Sequence, residues 1–337
     1  MLAVPPLAML PKVQDRFRSV RHVRFVSLPH ILLHRLQFSF KAMEDISFAP
    51  GILGNAVRGA LGSILRSFAC KPECPGSRTC DRARTCTYAR IFEPSAAPGP
   101  SGFADPPRPF VIRAAHLEDA RIPAGRPFSF FLNVFDTDPA LWPQIAMTFA
   151  HLAKSGLGPE RRRVLLTQAA SVDGNGQPKS IFFADGKFLN PPLCDPLSIS
   201  LAPTPANRIR VHFITPFELK GLADPKRPDF HAVFARARDR CGALCTLYGA
   251  GPLTINFREL GERSRAIQLT AASITGVSAG RTSSRTHQTH SVGGWIGTAD
   301  YAGELGDFVP YVAAAKWTGI GRHTAWGNGE VHVDHLD

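Results

Sequence analysis

Hydrophobic positions change their period along this chain. Over residues 31–40 they settle into alternation, with Leu36, Phe38 and Phe40 on one side, which predicts a strand with one buried face. Beyond Pro50 and Gly51 the spacing lengthens. Leu53, Val57, Ala60, Leu61, Ile64, Leu65 and Phe68 recur every three or four residues as the stripe of an amphipathic helix, and Arg58 and Arg66 fall off it. A short strand at 110–112 and a longer one at 127–135 follow, then a helix over 139–154. A glycine turn at 155–158 leads into a strand that opens with Arg161. The order β-α-β-β-α-β is that of a ferredoxin-like domain.

The order then repeats. A strand at 208–214 precedes a helix over 229–248 that carries Phe230, Val233, Phe234, Ala237, Cys241 and Leu244 on one face. Strands near 267–274 and 294–301, a helix at 304–316 and a strand at 330–333 complete the second set. The pattern predicts an α+β chain of tandem ferredoxin-like βαββαβ domains. The first covers residues 20–176, with a cysteine-rich insertion at 70–90. A proline-rich linker with a hairpin spans 177–206, and the second domain covers 207–337, with a glycine-rich loop before its last strand.

Charge adds a partner class. Lysine and arginine number 39 against 27 acidic residues, a net charge of +12, and arginine dominates the excess. Such a balance favours a polyanion, because each neutralised phosphate releases condensed counterions. The alternative is a basic enzyme that binds no nucleic acid. A hydrophobic content of 44% describes a globular protein rather than a disordered one. There is no apolar run long enough to span a bilayer, and the apolar opening residues carry Pro5 and Pro6 without a basic start, so the expectation is a cytoplasmic protein.

The segment between Lys316 and Val333 holds Gly319, Gly321, Gly327 and Gly329 as two G-x-G pairs around Arg322 and His323. Glycine admits positive φ and close approach of backbone amides to phosphate, although the same pattern also serves ordinary hairpin turns. Arg161, Arg162 and Arg163 directly follow another glycine turn, which suits a phosphate-tracking groove or simply a solvated face. Cys70, Cys74, Cys80 and Cys86 place four thiols in seventeen residues, enough for a structural tetrahedral zinc site. Cys241 and Cys245 fall on an apolar helix face and read as core thiols, whereas Cys194 has no assignment.

Four stretches carry a resemblance to a known family. They are Gly54 to Gly62 with the cysteines and Tyr88-Ala89-Arg90-Ile91-Phe92-Glu93-Pro94; Gly156 to Arg163; Val211 to Lys220 with Asp229-Phe230; and Ser283 to Gln288, Gly294 to Gly297 and the closing glycine loop. In order and spacing the chain resembles the CRISPR-associated RAMP endoribonucleases that process precursor CRISPR RNA, the Cas6 family, from about residue 30 to the end. The resemblance implies tandem ferredoxin-like domains, binding of CRISPR repeat RNA and cleavage without a metal. The chain departs from the family at Arg322-His323, where a G-x-G-K type loop is usual, and in having no histidine on the helix at 51–68.

Such cleavage needs a base for the 2′-hydroxyl, an acid for the leaving oxygen and a cation for the phosphorane. His34, His323 and Tyr88 are the candidate catalytic residues, with His30, His287 and His290 as further histidines. Arg58, Arg161, Arg162, Arg163, Arg281, Arg285, Lys316 and Arg322, with the four loop glycines, are the candidate RNA-binding residues. Trp295, Trp317 and Trp326 are candidates for base stacking or for core packing. The reading is an endoribonuclease acting on CRISPR repeat RNA. The alternatives are a catalytically silent RAMP subunit that binds repeat or guide RNA beside other effector subunits, and an unrelated basic enzyme with a zinc loop.

Overall fold

In a computed structural model, residues 29–48, 51, 53–70, 73–94, 106–158, 160–190, 194–278, 280–282, 289–291 and 293–336 are described. Arg285 and His287 lie outside them, as do the side chains of Arg281 and His290.

The first domain is built from β1 (His30–Ala42), α1 (Leu53–Ala69), α2 (Thr87–Phe92), β2 (Phe110–Arg113), β3 (Pro127–Val134), α3 (Trp142–Ser155), β4 (Val164–Val172) and β5 (Pro178–Ala184). Its sheet runs β2-β3-β1-β4-β5, so the first four strands take the antiparallel ferredoxin-like order. The alternation in β1 sends Leu36, Phe38 and Phe40 under the helices, where Phe38 lies 4.2 Å from Phe149 and Phe40 stacks on Phe128 and Phe130. Gln37 and Ser39 occupy the opposite face, and Gln37 donates to the Ser129 hydroxyl. The chain turns into α3 at Asp138, whose carboxylate accepts the Ala140 amide.

Residues 177–206, predicted as a linker with a hairpin, are largely built into strands of the fold. β5 extends the first sheet beside β4, and β6 (Leu197–Ser200) pairs with the opening of β1, Ile31 against Ile199. Period-two runs as short as these lie below what a proline-rich sequence reveals.

The second domain comprises β7 (Arg208–Phe217), α4 (Phe230–Tyr248), α5 (Phe257–Arg263), β8 (Gln268–Val277), β9 (Gly294–Ala302), α6 (Val309–Ala313), α7 (Ala315–Thr318) and β10 (Val331–His335). The sheet order β8-β9-β7-β10 repeats the first domain's arrangement. Asp229 caps α4 by accepting the Ala232 amide, and Phe230 and Phe234 pack on Tyr301 and Phe308. Ile31 and Leu33 of β1 belong to this second core, while Phe38 and Phe40 of the same strand belong to the first. One strand therefore threads both cores.

The domains are joined by a polar clamp. Helix ends leave backbone carbonyls short of partners; that of Ala315 accepts the Gly319 amide, and it and those of Lys316, Trp317 and Thr318 are all met by side chains. Arg113, at the end of β2, donates from Nη2 to Ala315 at 3.0 Å, from Nε to Lys316 at 2.9 Å and from Nη1 to Gly327 at 3.2 Å. Asn133 of β3 donates to Trp317 at 3.0 Å, and Arg240 of α4 donates to Thr318 at 3.3 Å. Glu330 stands 3.7 Å from Arg113 Nε. Removing one member of a buried charged network strands its partners, so Arg113→Ala is expected to cost about 3 kcal/mol, read as a fall in the thermal unfolding midpoint. Arg113→Lys should not restore it, because one ammonium cannot reproduce the guanidinium fork.

Candidate nucleic-acid interface

The clamp holds two open sheet faces against a common cleft. On β1 the residue after His34 points outward. Arg35 lies 3.9 Å above the Phe131 ring, 5.4 Å from that of Trp317, and donates to the Gly174 carbonyl at 3.0 Å. The second domain contributes Ile214 from β7, exposed where its neighbours are buried, and His332 from β10, on the opposite face from the buried Val331. With Arg113, His116, Asn133, Lys316, Trp317 and Glu330, these residues line a cavity of about 320 Å³.

Two histidines face this cavity. His116 directs Nε2 at the Ser129 carbonyl, 2.8 Å away, which makes that nitrogen an N–H donor and turns Nδ1 away from the contact. His332 Nε2 lies 3.6 Å from the Glu330 carboxylate. Half-buried Glu118 closes one side. Burial raises its carboxyl above the ordinary range, the Gly51 backbone opposes the rise, and Asp119 and Glu330 add to it.

A narrow gap that shares Ala115 and Glu118 with the cleft runs on to Trp326. Trp326 also lines a wider groove of about 1020 Å³ with Glu218, Trp295, Arg322 and His323. Through these shared residues the three spaces follow one another as a track that starts at the domain boundary and ends in a groove lined by the second domain alone. His323 stacks on Trp326 at 4.1 Å, and Arg58 of α1 lies 5.3 Å from the Trp326 ring and 4.7 Å from that of Phe92.

The glycine loop follows its predicted backbone but not the predicted use of its amides. Gly319, Gly321, Gly327 and Gly329 all have positive φ. The amides of Ile320, Arg322, Trp326, Gly327 and Gly329 donate to the carbonyls of Gly329, Glu218, His323, Thr324 and Pro216. These five are not phosphate donors. A Cβ on Gly321 would overlap the Glu218 carbonyl and one on Gly329 the Ile320 carbonyl, so both glycines serve close packing. Arg322 reaches the groove but is ion-paired with Glu218 at 2.7 Å.

Other predicted residues fall elsewhere. His34, a predicted catalytic residue, is 3% exposed, sits 4.7 Å edge-on to Trp142 and approaches the Thr137 carbonyl at 3.2 Å, with no route to a substrate. Tyr88 is buried as well, its hydroxyl donating to Glu93 at 2.9 Å, and burial with that carboxylate pushes the phenol up to about 12. Neither can act as the base. Arg161, Arg162 and Arg163 sit beside Ala42 and Val164, at the far end of β1, seven residues from Arg35, or about 23 Å at strand rise. Arg162 pairs there with Glu160 and Glu44, and Arg163 approaches Glu44. Lys316 does line the cleft. Among the described residues no three or more His, Cys, Asp or Glu side chains stand assembled as metal ligands.

Arg35 and His332 were not among the candidate residues, although each lies on a strand beside a buried neighbour, a position alternation could have indicated. His116 lies in a three-residue 3₁₀ turn, Ala115–Leu117, which has no periodic signature.

The CRISPR-associated endoribonuclease Cas6 family matches residues 211–331, and residues 28–193 match a family described as an N-terminal domain, AF_1859_N. No curated protein matches the chain in sequence. Among solved structures, a product complex of the Thermus thermophilus protein Cas6 (TTHB231) is 12% identical with a TM-score of 0.51, over 90% of this chain and 99% of the other. A partial Cas6-RT-Cas1–Cas2 complex is 12% identical with a TM-score of 0.50, over 91% of this chain and 47% of the other. At this identity the likeness concerns the fold. Among the described residues no helix is long and apolar enough to cross a membrane.

Burial lowers the His34 pKa from its ordinary value, and the contact with Thr137 offsets part of that. The folded chain therefore prefers neutral His34 more than the unfolded chain does. Its stabilising contribution is complete above the unfolded value near pH 6.5 and is lost as pH falls through the folded value. Thermal midpoints measured from pH 7 down to pH 5 should fall less in His34→Gln than in the parent. Equal slopes would show that His34 titrates as it does in the unfolded chain.

Proposed function

We propose that the chain, whose residues 211–331 match the CRISPR-associated endoribonuclease Cas6 family, binds CRISPR repeat RNA along the track and cuts it. The observation that carries this reading is the meeting of His116, His332, Arg35 and Lys316, drawn from both domains, around one cavity.

His116 is the general base. Its Nε2–H is engaged by the Ser129 carbonyl, so Nδ1 takes the proton of a 2′-hydroxyl. The freed O2′ attacks the adjacent phosphorus, the bond from phosphorus to O5′ breaks, and His332, beside Glu330, acts as the general acid that gives a proton to O5′. The products are a 2′,3′-cyclic phosphate and a 5′-hydroxyl, with no metal in the reaction. Lys316 and Arg35 offset the charge that develops on the phosphorane. Phe131 and Trp317, which frame Arg35, offer faces for unpaired bases, and the groove at Trp295, Trp326 and His323 extends the contact. Arg322 and Arg58 border that groove from either side of Trp326.

A second reading has an observation of its own. Two candidate catalytic groups, His34 and Tyr88, are buried, which suits a subunit that binds repeat RNA without cutting it.

The test uses a labelled repeat RNA in EDTA, with a twin carrying a 2′-deoxy sugar at the cut. The parent should cleave only the first. His116→Ala and His332→Ala should each slow cleavage by about 10²–10⁴-fold with little change in RNA affinity. Arg35→Ala should weaken binding and reduce its salt dependence. Parental rates in both histidine variants would remove the cleft from the chemistry. Tight binding of both RNAs without cleavage would establish the silent subunit.

A further inference from the structure

The segment between α1 and α2 has almost no core of its own. Over residues 73–86 it forms turns with no strand or helix, and only Ala83 is buried. Backbone bonds from Cys80 to Gly76 and from Cys86 to Arg82 close two small turns, but no apolar side chain joins them. The inward-facing groups are instead the thiols. Cys70, Cys74, Cys80 and Cys86, from four points on the chain, line one cavity together with Arg66, Tyr88 and Glu93.

The thiols are already neighbours. All four border the same small space. Among the described residues they do not stand assembled as a ligand cluster. The enclosed space is about 10 Å³, room for a single sphere the size of a water or an ion. Rotation between staggered rotamers is the movement that would gather the four sulfurs into one ligand set.

We propose that these four cysteines bind one zinc ion as thiolates and that the metal supplies the missing core of this segment. Four thiolates saturate a tetrahedral ion, so the site is structural. The bound set would carry two negative charges. Arg66 at the cavity, with Arg78, Arg82 and Arg84 in the same segment, provides the opposing charge. Cys86 caps the start of α2, and Phe92 at its end stacks on Tyr88 and faces Arg58, which faces Trp326 of the track. The metal thus fixes the helix against which one wall of the track is stacked.

The experiment uses the full chain from zinc-supplemented culture, extensively dialysed, with zinc measured by elemental mass spectrometry. About one zinc per chain is expected, falling to a trace in Cys74→Ser/Cys80→Ser with a lower thermal midpoint. Since that variant can fail to fold, the parent stripped by chelator under reducing conditions is also titrated with cobalt(II). Thiolate-to-cobalt charge transfer and strong tetrahedral d–d absorption, saturating at one equivalent, would support the site. Zinc-free parent protein with four freely reactive thiols and no cobalt charge transfer, or two disulfides found by mass, would overturn it. None of these readouts depends on RNA cleavage.

Discussion

Everything placed at the domain boundary depends on the clamp that Arg113 closes. A guanidinium this deeply buried is unfavourable on solvation alone: burial pulls its pKa down, and nearby Arg35 adds to that, while Glu330 opposes both. What makes the arrangement stable is that nearly every donor has a partner and the acceptors needed one. The carbonyls of Lys316 and Trp317 face the first domain with no further helical turn to receive them, and Arg113 and Asn133 meet these and the Ala315 carbonyl, which also holds the Gly319 amide. Gly327 accepts from Arg113 and from Thr215, so the same group that docks the domains also anchors the glycine loop.

The anchoring explains why that loop is glycine-rich even though most of its described amides point inward. The loop is pinned between α1, β2 and the end of β7. A Cβ on Gly54 of α1 would overlap the Trp326 carbonyl, and Gly327 packs against the Ile112 carbonyl. With its backbone committed, the loop offers side chains instead: Arg322, His323 and Trp326 on the groove, and Lys316 and Trp317 just before it on the cleft. The chemical potential of the region therefore lies in side chains displayed by a rigid backbone. A nest of free amides of the kind that cradles phosphate elsewhere is not how it is built.

Much of the architecture was legible in the sequence, and the reason is periodicity. The stripe from Leu53 to Leu65 and the alternation of Leu36, Phe38 and Phe40 each bury a face, and such faces leave a strong pattern. β6 left none, because four residues paired at the edge of β1 need no long alternation. The site was less legible. His34 and Arg35 are adjacent on one strand, and which of them enters the core depends on register, which a one-residue shift inverts. Tyr88 was a chemically reasonable choice that burial beside Glu93 disqualifies. His116 is brought to the cleft by a turn and a single bond to Ser129, tertiary facts without a local signature.

Net charge, too, gains meaning only after the arginines are sorted by what they touch. Arg113 and Arg240 are structural and buried, and their positive charge is directed at carbonyls. Arg90 is held by Asp136 and Asp138, Arg210 by Asp300, Arg263 by Asp307 and Arg322 by Glu218, so much of the cationic surface is matched by its own carboxylates. Arg35 and Lys316 differ: each lies against an aromatic ring at the cleft, and neither forms a direct ion pair among the described residues. A cation seated on an aromatic face is positioned without being neutralised, which leaves it able to meet a phosphate while the ring meets a base. The part of the +12 net charge open to a polyanion rests with cations that no carboxylate of the chain meets directly. The clamp puts two of them beside the histidines.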